Sequence, residues 1–196
     1  MLEQVIGLIL VLENQEEVLS KMNYKDTIKH YMEELAKDEN VRFLGYNIAY
    51  GSKAYGTLAN IASEKCIETP LAENLMTGLA IGMAIEGFKP VLFYERHDFL
   101  FNGLDAIVNH IDKFEELSHG LYKAPVLIRA TVGSTQPLDP GIQHKQDLTE
   151  VLKMMVNFPV YELNSVQDIH ESYKKAMQFN EPCIIIEHKN RYDKND

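Results

Sequence analysis

The residue types best placed to do chemistry in this chain are one acid, two aromatics and two histidines. Glu73 closes the run Glu68-Thr69-Pro70-Leu71-Ala72 and opens a stretch, Asn74 to Gly87, that is almost wholly small and apolar. Thr69 is a suitable helix N-cap and Pro70 fits the first helical position. Glu73 is therefore expected one turn into a helix, where the positive end of the dipole favours a carboxylate. Phe99, Tyr94, His97 and His144 are the other candidates. An acid beside an aromatic platform suits a flat, protonatable heterocycle: the carboxylate holds a ring-nitrogen proton and the aromatic stacks on the ring face. A plainer reading stands beside it. First-turn glutamates are common for dipole reasons alone, Phe99 is readily a core residue, and both histidines are readily surface or capping residues.

The elements that must position these residues follow from periodicity. Apolar runs near 41–48, 65–67, 91–95, 125–129, 159–163 and 183–187 read as strands. Helical spacing marks 24–37, the stretch from Pro70 to the stop at Gly87, 99–117, 147–157 and 166–179, the last opened by an Asn164/Ser165 cap. Residues 49–62 read as a loop or broken helix. The strands are continuously apolar and alternate with helices, the pattern of a parallel sheet covered on both faces. The expected class is α/β: a single three-layer, doubly wound domain with a mostly parallel sheet. Ligands in such folds collect at the carboxyl ends of the strands. Glu73, His97–Phe99, the 131–146 loop and His188 all fall there. Gly78 and Gly82 each cost a helix about 0.8–1 kcal/mol relative to Ala, so this helix needs a close packing partner.

Composition narrows the function. The net charge of −10 in 196 residues argues against nucleic-acid binding, which leaves a basic footprint. Cys66 and Cys183 have neither metal nor disulfide-framework spacing and read as buried free thiols of a reducing cytoplasm. No Gly-x-Gly-x-x-Gly follows a strand, there is no P-loop, and no His/Glu spacing suggests zinc, so no metal ligands are expected in this chain. The apolar run Val5–Leu12 is far short of a membrane span. It lacks a basic lead and is followed by Glu13, Glu16 and Glu17, which argues against a signal peptide. Residues 1–21 are expected to be an appendage, either an upstream mis-start or an interaction helix, ahead of a domain over 22–193.

Several ordered motifs resemble one family. Glu-Thr-Pro-Leu-Ala-Glu73 with Gly78 and Gly82 is similar to the pyrimidine-binding domain of transketolase-like thiamine-diphosphate enzymes, most of all to the beta subunits of 2-oxo-acid dehydrogenase first components. The likeness continues through Asp38–Gly45, Lys89-Pro90, Phe99 with Asp105 and Asn109, Gln143-His144 and Glu187–Tyr192. It implies the thiamine-diphosphate-binding fold. It implies that Glu73 bonds the aminopyrimidine ring nitrogen of the cofactor and promotes the tautomer that activates it for attack on a 2-oxo acid. It also implies that Phe99 packs on that ring, that His144 lies at the substrate end, and that Gly78 and Gly82 serve a helix pairing between subunits.

The same resemblance implies what the chain does not carry. The family's diphosphate and magnesium are held by a Gly-Asp-Gly…Asn-Asn motif on a partner domain, and Gly-Asp-Gly is absent here. The expectation is an enzyme subunit, inactive alone. It would share thiamine diphosphate with an alpha-type, diphosphate-binding partner that holds Mg2+, as a heterotetramer or as a homodimer through the Gly78/Gly82 helix. Its substrate would be a 2-oxo acid or a ketose. There are departures. Tyr46-Asn47 stands where the family carries an acidic pair, Glu95-Arg-His-Asp98 is more charged than usual, the loop before His144 is slightly longer, and the chain ends soon after Tyr192, where such subunits continue into a carboxy-terminal domain. They leave two alternatives, a non-catalytic assembly or regulatory module that keeps the fold, and a flavodoxin-like small-ligand binder.

Overall fold

The computed structural model describes residues 22–136 and 138–192. The expected appendage, 1–21, lies outside the described residues. The chain opens with α1, Tyr24–Leu35, capped by Asn23, whose Oδ1 accepts the Asp26 N–H at 2.8 Å. Its inward face, Tyr24, Ile28, Tyr31, Met32 and Leu35, has helical spacing and is buried. Strand β1, Val41–Gly45, follows. After it come β2, Cys66–Glu68; α2, Glu73–Ile85; and β3, Lys89–Tyr94. A broken helical segment spans 97–117 and ends in α3, Phe114–Leu117. Strand β4, Leu127–Val132, leads to α4, Thr149–Met155, then β5, Val160–Glu162, α5, Val166–Ala176, and β6, Cys183–His188.

The six strands form one sheet in the order β2-β1-β3-β4-β6-β5, and every pairing in it is parallel. Successive side chains of a strand point to opposite faces, so the sheet has two cores. Phe43, Val91, Phe93, Leu127, Cys183 and Ile185 pack against α1 and α5. Leu44, Leu92, Tyr94, Ile128, Ala130, Ile184 and Ile186 pack against α2, the 97–117 segment and α4. The three-layer α/β class expected from the alternating runs is the observed one.

One charged pair sits inside the first core. Arg129 and Glu187, on neighbouring strands, are both fully buried. The Arg129 Nε donates to Glu187 Oε1 at 2.6 Å and its Nη2 to Oε2 at 3.0 Å. The tyrosines Tyr173 and Tyr192 donate to the same carboxylate. Buried charge is tolerated only when paired in this way.

Three expectations are corrected. The helix after Thr69 starts at Glu73 rather than at Pro70, with Ala72 as a cap lacking a side-chain bond. Glu73 is therefore the first helical residue and not one turn in. The single helix expected over 99–117 is a 3-10 turn, His97–Gly103, a π turn, Asp105–His110, a second 3-10 turn and α3. The 3-10 turn ends at Gly103, which is seated directly on the Tyr94 hydroxyl, closer than a Cβ allows. Strand β1 stops at Gly45, where φ is +149° and a Cβ would sit 2.7 Å from the Phe93 carbonyl oxygen.

Candidate functional site

The chain leaves β1 toward β2 at the sheet edge and leaves β3 toward β4 on the other side. The crevice above the carboxyl ends of β1 and β3 is thus a topological switch point, where ligands gather in this architecture. The segments that rim it are Tyr46 after β1, Glu73 after β2, Glu95–Phe99 after β3 and the 133–146 loop after β4.

Glu73 is about nine-tenths buried, 9% exposed. Its first turn is held from beneath: the Thr77 hydroxyl donates to the Glu73 carbonyl at 2.7 Å, and the Tyr94 hydroxyl bonds to both Thr77 Oγ1 and that carbonyl. Among the described residues, none donates a hydrogen bond to the Glu73 carboxylate. A carboxylate at a helix mouth is favoured by the dipole, but one this buried and without a donor is an acceptor available to a ligand.

Phe99 is half-buried, and its ring meets the His144 ring edge to face with centroids 5.5 Å apart. The structure therefore brings together two of the three site residues expected from sequence. Glu73, the third, is not in that pair. Tyr46, whose ring lies 6.1 Å from that of Phe99, follows Gly45, and the Gly45 carbonyl accepts the Thr69 N–H at 2.8 Å on the segment that leads into Glu73. Gly133 lets the His144 backbone lie against the end of β4, where a Cβ would collide with the His144 carbonyl oxygen. A cleft of about 550 Å3 opens beside this loop, lined by residues that include Gly133, Ser134, Lys145 and Lys189.

The other candidates lie elsewhere. Tyr94 is completely buried and serves as the anchor of Glu73's turn, not as a platform. His97 is also fully buried; its Nδ1 accepts the Leu148 N–H at 3.1 Å, and burial lowers its pKa to about 4, so the ring is neutral. His188, at the end of β6, pairs with Glu162 at 3.1 Å and does not join the Phe99–His144 pair. Burial pushes the Cys183 thiol up to about 12, and the half-buried Cys66 thiol is also raised by burial. Neither has the depressed pKa of a reactive cysteine. Among the described residues, no group of three or more His, Cys, Asp or Glu could hold a metal ion.

Sequence reasoning missed several contributors. Glu68, the last residue of β2, accepts the backbone N–H groups of Asn47, Ile48 and Ala49 at 2.6, 3.1 and 2.8 Å. Asp98 Oδ1 accepts from the Gln146 amide at 2.8 Å, which joins the β3 rim to the 133–146 loop. The buried side-chain atoms without a partner among the described residues are the Tyr46 hydroxyl, His97 Nε2, Asp98 Oδ2 and Thr131 Oγ1. All stand at the carboxyl ends of β1, β3 and β4. In the sequence, the charge of Glu95-Arg-His-Asp98 and the Tyr46-Asn47 departure pointed to this rim without showing these contacts.

The outer face of α2 is apolar and open. Leu75 is 63% and Leu79 43% exposed, and a Cβ added at Gly78 or Gly82 would meet nothing within 4 Å. Among the described residues, no helix is long and apolar enough to cross a membrane.

Comparison with known proteins agrees with this fold. The chain is 28% identical to the beta subunit of the mitochondrial pyruvate dehydrogenase E1 component of Saccharomyces cerevisiae, over 82% of this chain and 44% of that one. It is 25% identical to the 2-oxoisovalerate dehydrogenase subunit beta of Bacillus subtilis, over 89% of this chain and 54% of the other. It thus spans about half the length of these curated relatives. A solved structure described as a split gene transketolase, inactive beta4 tetramer, superimposes with a TM-score of 0.65 at 20% identity, over 86% of this chain and 52% of that chain, and supports the fold. The transketolase pyrimidine-binding domain family matches residues 20–194, and the chain belongs to that family.

Proposed function

We propose that this chain is the pyrimidine-binding part of a thiamine-diphosphate enzyme acting on a 2-oxo acid or a ketose. One observation carries the reading: a nearly buried carboxylate, Glu73, at the mouth of α2 with no described donor of its own. The residues fit the group. Glu73 offers an acceptor for a protonated ring nitrogen, Phe99 an aromatic surface for a flat ring, and His144, against Phe99, a polar group at the outer end. When bound, thiamine diphosphate supplies the nucleophilic carbon that attacks a keto group. Glu73 holds and orients the pyrimidine and its proton, and the Phe99 side excludes water from the ring face.

The diphosphate and Mg2+ belong, in this reading, to a separate alpha-type subunit, and this chain is inactive without it. The uncovered face of α2 at Gly78 and Gly82 is the surface for association, as a heterotetramer with that subunit or as a homodimer. That its relatives are beta subunits supports a role as one subunit beside a separate partner.

The test is a nuclear magnetic resonance titration of the labelled chain with thiamine at millimolar concentration, beside Glu73→Gln. Shifts at residues around Glu73 and Phe99 that vanish in Glu73→Gln are expected. Equal binding by both would reject the reading. A non-catalytic assembly module is the competing reading, favoured by Tyr46-Asn47 at the rim; it predicts association with a partner but no thiamine-dependent shifts.

A further inference from the structure

Tyr46 follows Gly45 at the carboxyl end of β1, and its ring packs in the second core with 6% exposure. Its hydroxyl is buried and has no hydrogen-bond partner among the described residues. As core packing this is a poor arrangement, since phenylalanine fills the same space without stranding a polar group. Tyr94 gives the contrast within the same core. It is deeper still, and its hydroxyl is met by Thr77 and by the Glu73 carbonyl.

The surroundings of Tyr46 say what its proton is for. Its ring tilts against Phe99 at 6.1 Å. Burial, then the charges of Glu95 and Glu73, raise the hydroxyl's pKa, so the group stays a neutral O–H donor. Glu95 already receives the Asn47 amide at 3.3 Å, whereas Glu73 receives no described donor. Geometry sets Tyr46 beside the segment that leads into Glu73: Gly45 and Glu68 are register partners on adjacent parallel strands, and the Thr69 N–H donates to the Gly45 carbonyl at 2.8 Å. A carboxylate has two oxygens and room for several donors, so a ring and a phenol can share it.

We propose that Tyr46 is a positioning residue: its hydroxyl donates to the Glu73 carboxylate when a pyrimidine ring engages that carboxylate from the other side. This rests on the reading of Glu73 given above. A neutral donor at position 46 fixes the acid without setting a second negative charge beside it.

The experiment compares the full chain with Tyr46→Phe and Glu73→Gln, measuring thiamine affinity by the same titration and thermal unfolding of each unliganded protein. Tyr46→Phe is expected to unfold at or above the temperature of the parent, because it sheds a stranded hydroxyl. It is also expected to bind thiamine about tenfold more weakly, the effect of one hydrogen bond to a charged group. If Tyr46→Phe keeps the parent's affinity while Glu73→Gln loses it, the role of Tyr46 is refuted and that of Glu73 stands. If Tyr46→Phe lowers both affinity and unfolding temperature, the hydroxyl is merely structural and the proposal fails. If the parent shows no thiamine shifts, or Glu73→Gln binds as the parent does, both readings fall together.

Discussion

Phe99 and His144 stand edge to face, their ring centroids 5.5 Å apart, although they come from loops after different strands. What holds them there is Gly133, against which the His144 backbone rests without room for a Cβ. Gly133→Ala must push the loop outward. The fold should survive, since the displaced segment is at the surface. On the proposed reading, turnover of the complex with a diphosphate-binding partner should fall by about 10-fold to 100-fold, the scale for a misplaced group at a reacting centre. Steady-state kinetics with a parallel unfolding curve would check this, and unchanged turnover would show that the His144 position is immaterial.

Gly78 and Gly82 give a prediction of opposite sign for stability and assembly. Nothing lies within 4 Å of a Cβ built at either position. Gly78→Ala should therefore stabilise the isolated chain, by up to about 1 kcal/mol from helix propensity. Gly78→Leu should leave the chain folded and abolish association. Denaturant unfolding and light scattering on the same samples read the two effects. Unimpaired association in Gly78→Leu would remove this face as the contact surface.

His97 ties stability to acidity. Burial lowers its pKa from 6.5 to about 4. The unfolded chain takes up a proton below pH 6.5, while the folded chain resists until about pH 4. This contribution is therefore intact above pH 6.5 and is lost as pH falls toward 4, by on the order of 3 kcal/mol. Asp38, Asp112, Asp139 and Asp147 have lowered pKa values and add their own acid sensitivity. The difference between parent and His97→Gln isolates the imidazole. Unfolding free energies at pH 7.5 and 4.5 should diverge less in the variant, and equal divergence would contradict the assignment.

Arg129 and Glu187 form the buried pair of the first core. Glu187→Gln leaves the guanidinium without its counter-charge and should destabilise by about 3–5 kcal/mol. Arg129→Met with Glu187→Leu should cost less than the sum of the single changes. Urea unfolding measures both, and additive losses would mean that the pair is not coupled.

The layered fold was legible because continuous apolar runs such as Val91–Tyr94 and Cys183–Ile186 leave few alternatives to covered parallel strands. Although first-turn acids are common, the position of Glu73 at a helix mouth was legible from the small, apolar stretch that follows it. Its depth and its start at the first helical position were not, because capping rules favoured Thr69 and Pro70. The break in 97–117 was not legible either: the approach of Gly103 to Tyr94 within it is a contact between residues apart in sequence. The contacts of Tyr46 and Glu68 escaped for the same reason, although both residues had been noted in the sequence. A tyrosine and a glutamate carry no spacing signal, and only the folded chain shows which neighbours each lacks or gathers.

Glu68 has a wider consequence. By gathering three amide protons from residues 47–49 it rivets the turn after β1 to the strand that leads into Glu73. The turn carrying Tyr46 and the helix carrying the acid cannot drift independently, so any attempt to reshape one wall of this crevice by mutation will drag the opposite wall with it. Redesign here has to treat the two as one moving part.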